Sequence, residues 1–258
     1  MRGVPAWQDF SDDGAVRWEL LDGRTAQLWV HTFVNYRTPV DPGGIFGPVL
    51  EAINASGAER LVLDFRGVGG GSGDVQGSLL RHLITEPITV GGPSRVRTYR
   101  FDAYREHLST WAEGAFDIPA ELFTADGDFY IVDASVAGGS MTLEPAEHAW
   151  RGELIILIGP NNESGATMML AELHEQREVR LIGEPTGGSA EGPTAGVIAF
   201  LTLPKSGIVA RMPLVWSRTS VQDFVRGMGV TPDVVAPMTT ESLRAGRDPA
   251  MEAATAAR

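Results

Sequence analysis

Four short apolar runs punctuate the chain, and each ends in a turn signal. Segments 25–33 (TAQLWVHTF), 61–65 (LVLDF), 154–158 (LIILI) and 179–182 (VRLI) are short and dense in apolar side chains. Runs of that length flanked by glycine and proline predict buried strands. Between the first two, Ile45, Val49, Leu50 and Ile53 fall at helical spacing and predict a helix over 45–55, stopped by Gly57. A glycine-rich loop, 68–74 (VGGGSGD), follows the second strand and leads into a predicted helix over 75–84. A helix over 164–175 follows the third strand, and loop 183–192 follows the fourth. Segments 198–203 and 208–213 predict a hairpin turned at 204–207. A last helix over 242–257 should break near 246–249. Strand, helix, strand, glycine loop, helix is the order of a parallel α/β unit.

Residues 87–147 break the pattern. They are aromatic and acidic, and read as a variable insertion or lid with short helices inside a single core domain spanning 1–258. At 258 residues and 43% hydrophobic content the chain can bury a sizeable core. No apolar run approaches the roughly 20 residues of a membrane span. The polar, acidic start of the sequence lacks the apolar stretch of a signal peptide, so a complete chain is expected in the cytoplasm. There is no cysteine, which excludes disulfides and thiolate chemistry. The net charge of −12 argues against a nucleic-acid partner. Nothing calls for a metal or a cofactor, and self-association into a homo-oligomer is left open.

Candidate chemistry sits in the loops after the second and third strands, because open α/β sheets bind ligands beyond the carboxyl ends of their strands. Gly69, Gly70 and Gly71 would let backbone N–H groups approach a reacting carbonyl. Ser164 stands at a helix start, where free N–H groups and the helix dipole favour negative charge. It could be a nucleophile, with the Gly165 N–H receiving the oxyanion; on spacing alone, a serine before a helix is usually just an N-cap.

The motifs taken together narrow the choice. Leu63-Asp64-Phe65-Arg66-Gly67-Val68-Gly69-Gly70-Gly71 resembles a signature of the tail-specific (C-terminal processing) serine peptidases and their tricorn-core relatives. Five further stretches resemble that family in the same order: 152–158 followed by Ser164-Gly165-Ala166, 181–188 (LIGEPTGG), 203–207 (LPKSG), 229–234 (GVTPDV) and 246–249 (GRDP). The resemblance runs from about residue 27 to the C-terminus. It implies an α/β core related to the Clp-protease and crotonase folds, with a largely parallel sheet, flanking helices and a C-terminal β-hairpin. It further implies hydrolysis of a peptide bond by Ser164, with Gly69, Gly70 and Gly165 around the oxyanion and Gly71, Ser72 and Ser189 beside the substrate.

The sequence departs from the family where a base is needed. Many members use a lysine from the loop after the fourth strand; Ser189 stands there. The only lysine, Lys205, falls in the hairpin turn. The tricorn-like branch uses a histidine from a preceding domain and a glutamate near the terminal motif, where this chain has Arg226. Among the five histidines, His31 at the end of the first strand is the candidate base, against the plain reading of a packed strand histidine. Asp74 reads as the cap of the helix after the glycine loop, and Glu163 as a charge favouring the start of the helix that follows it. Three functions remain in play: a serine hydrolase of peptide or related acyl substrates, a repurposed lyase, isomerase or cyclase acting on a small molecule at the oxyanion site, and a non-catalytic binder of an apolar ligand. For the last, Trp111, Phe116, Phe123, Phe129 and Tyr130 could line a cleft.

Overall fold

A computed structural model describes residues 9–256, and the chain divides into two compact units. The first unit comprises residues 9–88, 142–191 and 221–256. Its centre is a six-stranded sheet in the order Val16–Leu20, Thr25–Val30, Arg60–Asp64, Glu153–Ile158, Arg180–Gly183, Val234–Val235. The first strand pairs antiparallel with the second, and every other pairing is parallel. The four apolar runs thus become four adjacent parallel strands, buried because helices cover both faces.

Alternation along the strands sorts the side chains. Val62, Ile155, Leu157 and Ile182 point to one face, where Ala250 and Ala254 of helix Pro249–Ala256 pack on them. Leu61, Leu63, Leu154 and Ile156 alternate to the opposite face and are fully or nearly fully buried. The right-handed rule for parallel crossovers puts helices Gly43–Ala55 and Ser164–Gln176 on that face, and helix Gly73–Leu83 packs against both. The predicted last helix is two, Thr240–Arg244 and Pro249–Ala256, broken at the expected place; residue 257 lies outside the described residues.

A salt-linked seam closes the unit. Arg66 grips Asp64 with Nε at 2.9 Å and Nη2 at 2.7 Å, and Asp248 with Nη1 at 2.9 Å and Nη2 at 2.8 Å. One planar guanidinium with its fixed fork of donors serves two carboxylates. The motif after the second parallel strand is thereby joined to the start of the last helix, across 182 residues of sequence.

The second unit comprises residues 89–141 and 192–220. It holds a four-stranded antiparallel sheet, Val215–Arg218, Gly92–Val96, Phe129–Val132, Phe123–Asp126, and a three-stranded one, Val209–Pro213, Ile198–Thr202, Leu108–Ser109. The expected short helices occur at Asp102–His107, Ala120–Leu122 and Ala134–Ala137, but strands dominate. The predicted hairpin is present, with Lys205 exposed in its turn. A cavity of about 400 Å³ lies inside this unit, lined by Val96, Tyr99, Phe101, Phe123, Val132 and Val215 among others. Of the five aromatics proposed for a cleft, only Phe123 lines it. Trp111, Phe116, Phe129 and Tyr130 are paired with Phe200, Phe101, Trp216 and Tyr99.

Candidate active site

The strand Glu153–Ile158 ends in a tight turn, 159–163, and helix Ser164–Gln176 follows. Glu163, not Ser164, occupies the N-cap position, and its carbonyl accepts from Ala166 and Thr167. Ser164 is the first residue of the helix, with φ of +48°, and among the described residues it is the only non-glycine residue with positive φ. The expected alternative, Ser164 as a helix cap, is therefore set aside: a cap has extended backbone and a side chain bonded to the second or third N–H, and Ser164 has neither. For an L-residue this conformation costs about 1–2 kcal/mol and persists only where the surroundings impose it.

What imposes it is a set of hydrogen bonds centred on Asn162, which is fully buried. Its Nδ2 donates to the Phe65 carbonyl at 2.7 Å and the Val68 carbonyl at 3.1 Å, clamping the glycine loop. Its Oδ1 accepts from the Gly159 N–H at 2.8 Å, fixing the strand end. Its own carbonyl accepts from the Thr167 hydroxyl at 2.8 Å and from the Gly188 N–H at 2.9 Å, fixing the helix and the loop after the fourth strand. One side chain and one peptide group thus hold three loops around Ser164. Sequence reading gave Asn162 no role; the available signal was an amide inside a turn between a buried strand and a helix.

The glycine loop is in contact with the serine. Gly70 has φ of +93°, and a β-carbon there would lie 2.9 Å from Cβ of Ser164 and 3.0 Å from the Gly165 nitrogen. Only glycine fits that backbone and that approach. Gly71 pairs with Phe33 across a parallel bridge, and the buried Ser72 hydroxyl accepts from the Asn35 N–H at 3.1 Å. Both residues brace the segment 33–35. Asp74 lies in the first turn of helix Gly73–Leu83 and accepts from Asn35 Nδ2 at 2.9 Å; the cap position is Ser72. Ser189 is next to Gly188, and its hydroxyl accepts from the Glu191 N–H at 3.4 Å. The 186–191 loop is pinned by residues 227–230, with Thr186 Oγ1 accepting from the Val230 N–H and Glu191 Oε1 from the Gly227 N–H.

Compared with known families, residues 29–236 match the model described as peptidase family S41.

The chain belongs to peptidase family S41.

No curated protein sequence matches it. Its fold is similar to solved structures at low identity. A candidate peptidase from Parabacteroides merdae ATCC 43184 has TM-score 0.61 and 18% identity over 93% of this chain and 63% of the other. Mature CPAF, crystallised with lactacystin, has TM-score 0.58 and 16% identity over 90% and 50%. The photosystem II D1 C-terminal processing protease has TM-score 0.52 and 14% identity over 86% and 48%. This S41 chain therefore spans between about half and three-fifths of the length of these structures.

The sequence expectation for a base does not survive as drawn. The register Trp29 opposite Asp64 and the alternation beyond it turn His31 toward Asp64, on the face covered by helix Pro249–Ala256. Helix Ser164–Gln176 packs on the other face. Burial holds the His31 imidazole below its ordinary pKa, with the Arg17 charge adding to the effect and Asp64 opposing it. Among the described residues no hydrogen bond joins His31, or any other histidine, to Ser164. His174 bonds Asp233 and His82 bonds the Ser78 carbonyl. No cluster of histidine and acidic side chains that could hold a metal ion occurs among the described residues, and none of their helices is long and apolar enough to cross a membrane.

Proposed function

We propose that this S41 protein is a serine hydrolase of peptide or related acyl substrates with Ser164 as nucleophile. One observation carries the reading: the sole positive-φ non-glycine among the described residues is a serine at a helix N-terminus, pressed against a glycine loop. A strained serine between a strand and a helix presents its hydroxyl to an acyl group instead of folding it back on the chain. In the first step Oγ bonds to the acyl carbon, and the carbonyl electron pair moves to oxygen. The Gly70 and Gly165 N–H groups, with the positive end of the helix dipole, would receive that charge. The hydroxyl proton passes to a base, and collapse expels the leaving amine or alcohol as the acyl group stays on Ser164. Water then releases it.

Proton removal is the step for which no described side chain is hydrogen-bonded to Ser164, so an activated acylating reagent gives the sharpest test. A fluorophosphonate should label the protein at Ser164, and Ser164→Ala should abolish both labelling and turnover. Undiminished labelling of that variant would sink the reading.

A further inference from the structure

We propose that Gln76 is a substrate-binding residue whose carboxamide hydrogen-bonds a backbone peptide group of the substrate next to Ser164; this rests on the hydrolase reading above. Gln76 is the fourth residue of helix Gly73–Leu83, one turn beyond the glycine loop, and its N–H bonds the Ser72 carbonyl at 3.2 Å. The residue is partly exposed, and its side chain reaches the start of helix Ser164–Gln176. A β-carbon on Gly165 would lie 2.7 Å from Gln76 Oε1 and 4.0 Å from the Gly71 nitrogen. A β-carbon on Gly70 would lie 3.0 Å from the Gly165 nitrogen. The carboxamide therefore enters the same small space as the Gly165 backbone and the glycine loop, beside the nucleophile.

The neighbouring polar side chains are committed within the protein. Asn35 bonds the Val40 carbonyl and Asp74, Asn162 bonds the glycine loop, and Thr167 bonds the Asn162 carbonyl. Among the described residues no hydrogen bond engages the Gln76 side chain. A partly exposed amide of this kind can exchange its water partners for those of a substrate. A carboxamide offers both N–H donors and a carbonyl acceptor with no charge, the same complement as a peptide group. It suits an extended peptide backbone and carries no charge with which to select a carboxylate or an ammonium. A β-carbon at position 165 would push the flexible end of the Gln76 side chain out of its place beside the glycine loop.

The test uses two covalent probes of Ser164, a plain alkyl fluorophosphonate and a tripeptidyl diphenyl phosphonate, on the whole chain. The wild type should react faster with the peptidyl probe. Gln76→Leu should slow that probe by about tenfold, the scale of one lost hydrogen bond. It should leave the alkyl probe within about twofold, which a merely structural role would not do. Gln76→Glu, close to isosteric, repeats the measurement if the leucine variant does not fold. Equal slowing of both probes, no slowing of either, or no preference of the wild type for the peptidyl probe overturns the role of Gln76. Absence of labelling at Ser164 by either probe overturns the hydrolase reading itself.

Discussion

Ser164 holds a conformation that its own chemistry disfavours, so stability and activity should separate at this position. Ser164→Gly removes the hydroxyl and relieves the left-handed strain. It should abolish labelling yet raise the unfolding free energy by about 1 kcal/mol in urea titrations. A loss of stability would mean that the φ of +48° is not strained. Gly70→Ala should do the reverse of relief. Its new β-carbon meets Ser164 and the Gly165 nitrogen on a backbone with φ of +93°. It should cost about 2–3 kcal/mol and at least a hundredfold in acylation. At this scale the sequence showed which serine to watch, through six motifs in order. It did not show the serine's backbone, because a cap and a strained turn residue occupy the same place before a helix.

At the scale of elements, the loops are joined by side chains that pattern reading cannot pair. Asn162 stands two residues before Ser164 in sequence, but its partners, the Phe65 and Val68 carbonyls, are nearly a hundred residues away. Asn162→Ala would leave these buried groups unmet and should cost 3 kcal/mol or more, flattening labelling even in molecules that stay folded. A milder and pH-dependent effect is expected at Asp248. Burial raises the pKa of this carboxyl, but hydrogen bonds and charge from Arg66, with the Met251 and Ala250 N–H groups, outweigh it and hold the pKa below the ordinary value. A carboxyl with a depressed folded pKa stabilises the fold above its unfolded value of about 3.9, and the contribution is lost as pH falls through the folded value. Asp248 is partly exposed, so solvent screens the link, and Asp248→Asn should cost only about 1 kcal/mol at pH 7. The difference from wild type should shrink below about pH 4 in denaturation curves. An unchanged difference at low pH would refute the assignment.

Across the whole molecule, the period of the hydrophobic pattern made the parallel sheet legible. Its four central strands lie within about two residues of their expected bounds, except that the first stops at Val30, short of the expected 33. The second unit was not legible as such, because its strands come from two stretches, 89–141 and 192–220, that no local pattern connects. His31 follows the same logic: the sequence puts it near the carboxyl end of the strand, but only the register fixes its face. His31→Ala should therefore change the labelling rate less than about threefold, far below the hundredfold expected of a base. The net charge of −12 gives a further expectation at this scale. Peptides rich in arginine should be cleaved with lower KM than acidic ones at low salt, and the gap should narrow as salt screens the field.

The strain at position 164 also gives descent a direction. On the proposed hydrolase reading, serine is retained against a constant conformational penalty while hydrolysis is under selection. In a lineage that abandons the chemistry, that restraint lapses, and glycine or asparagine at the same place becomes the easier residue to keep. The identity of this one residue in any related chain then serves as a gauge of whether its lineage still uses the site.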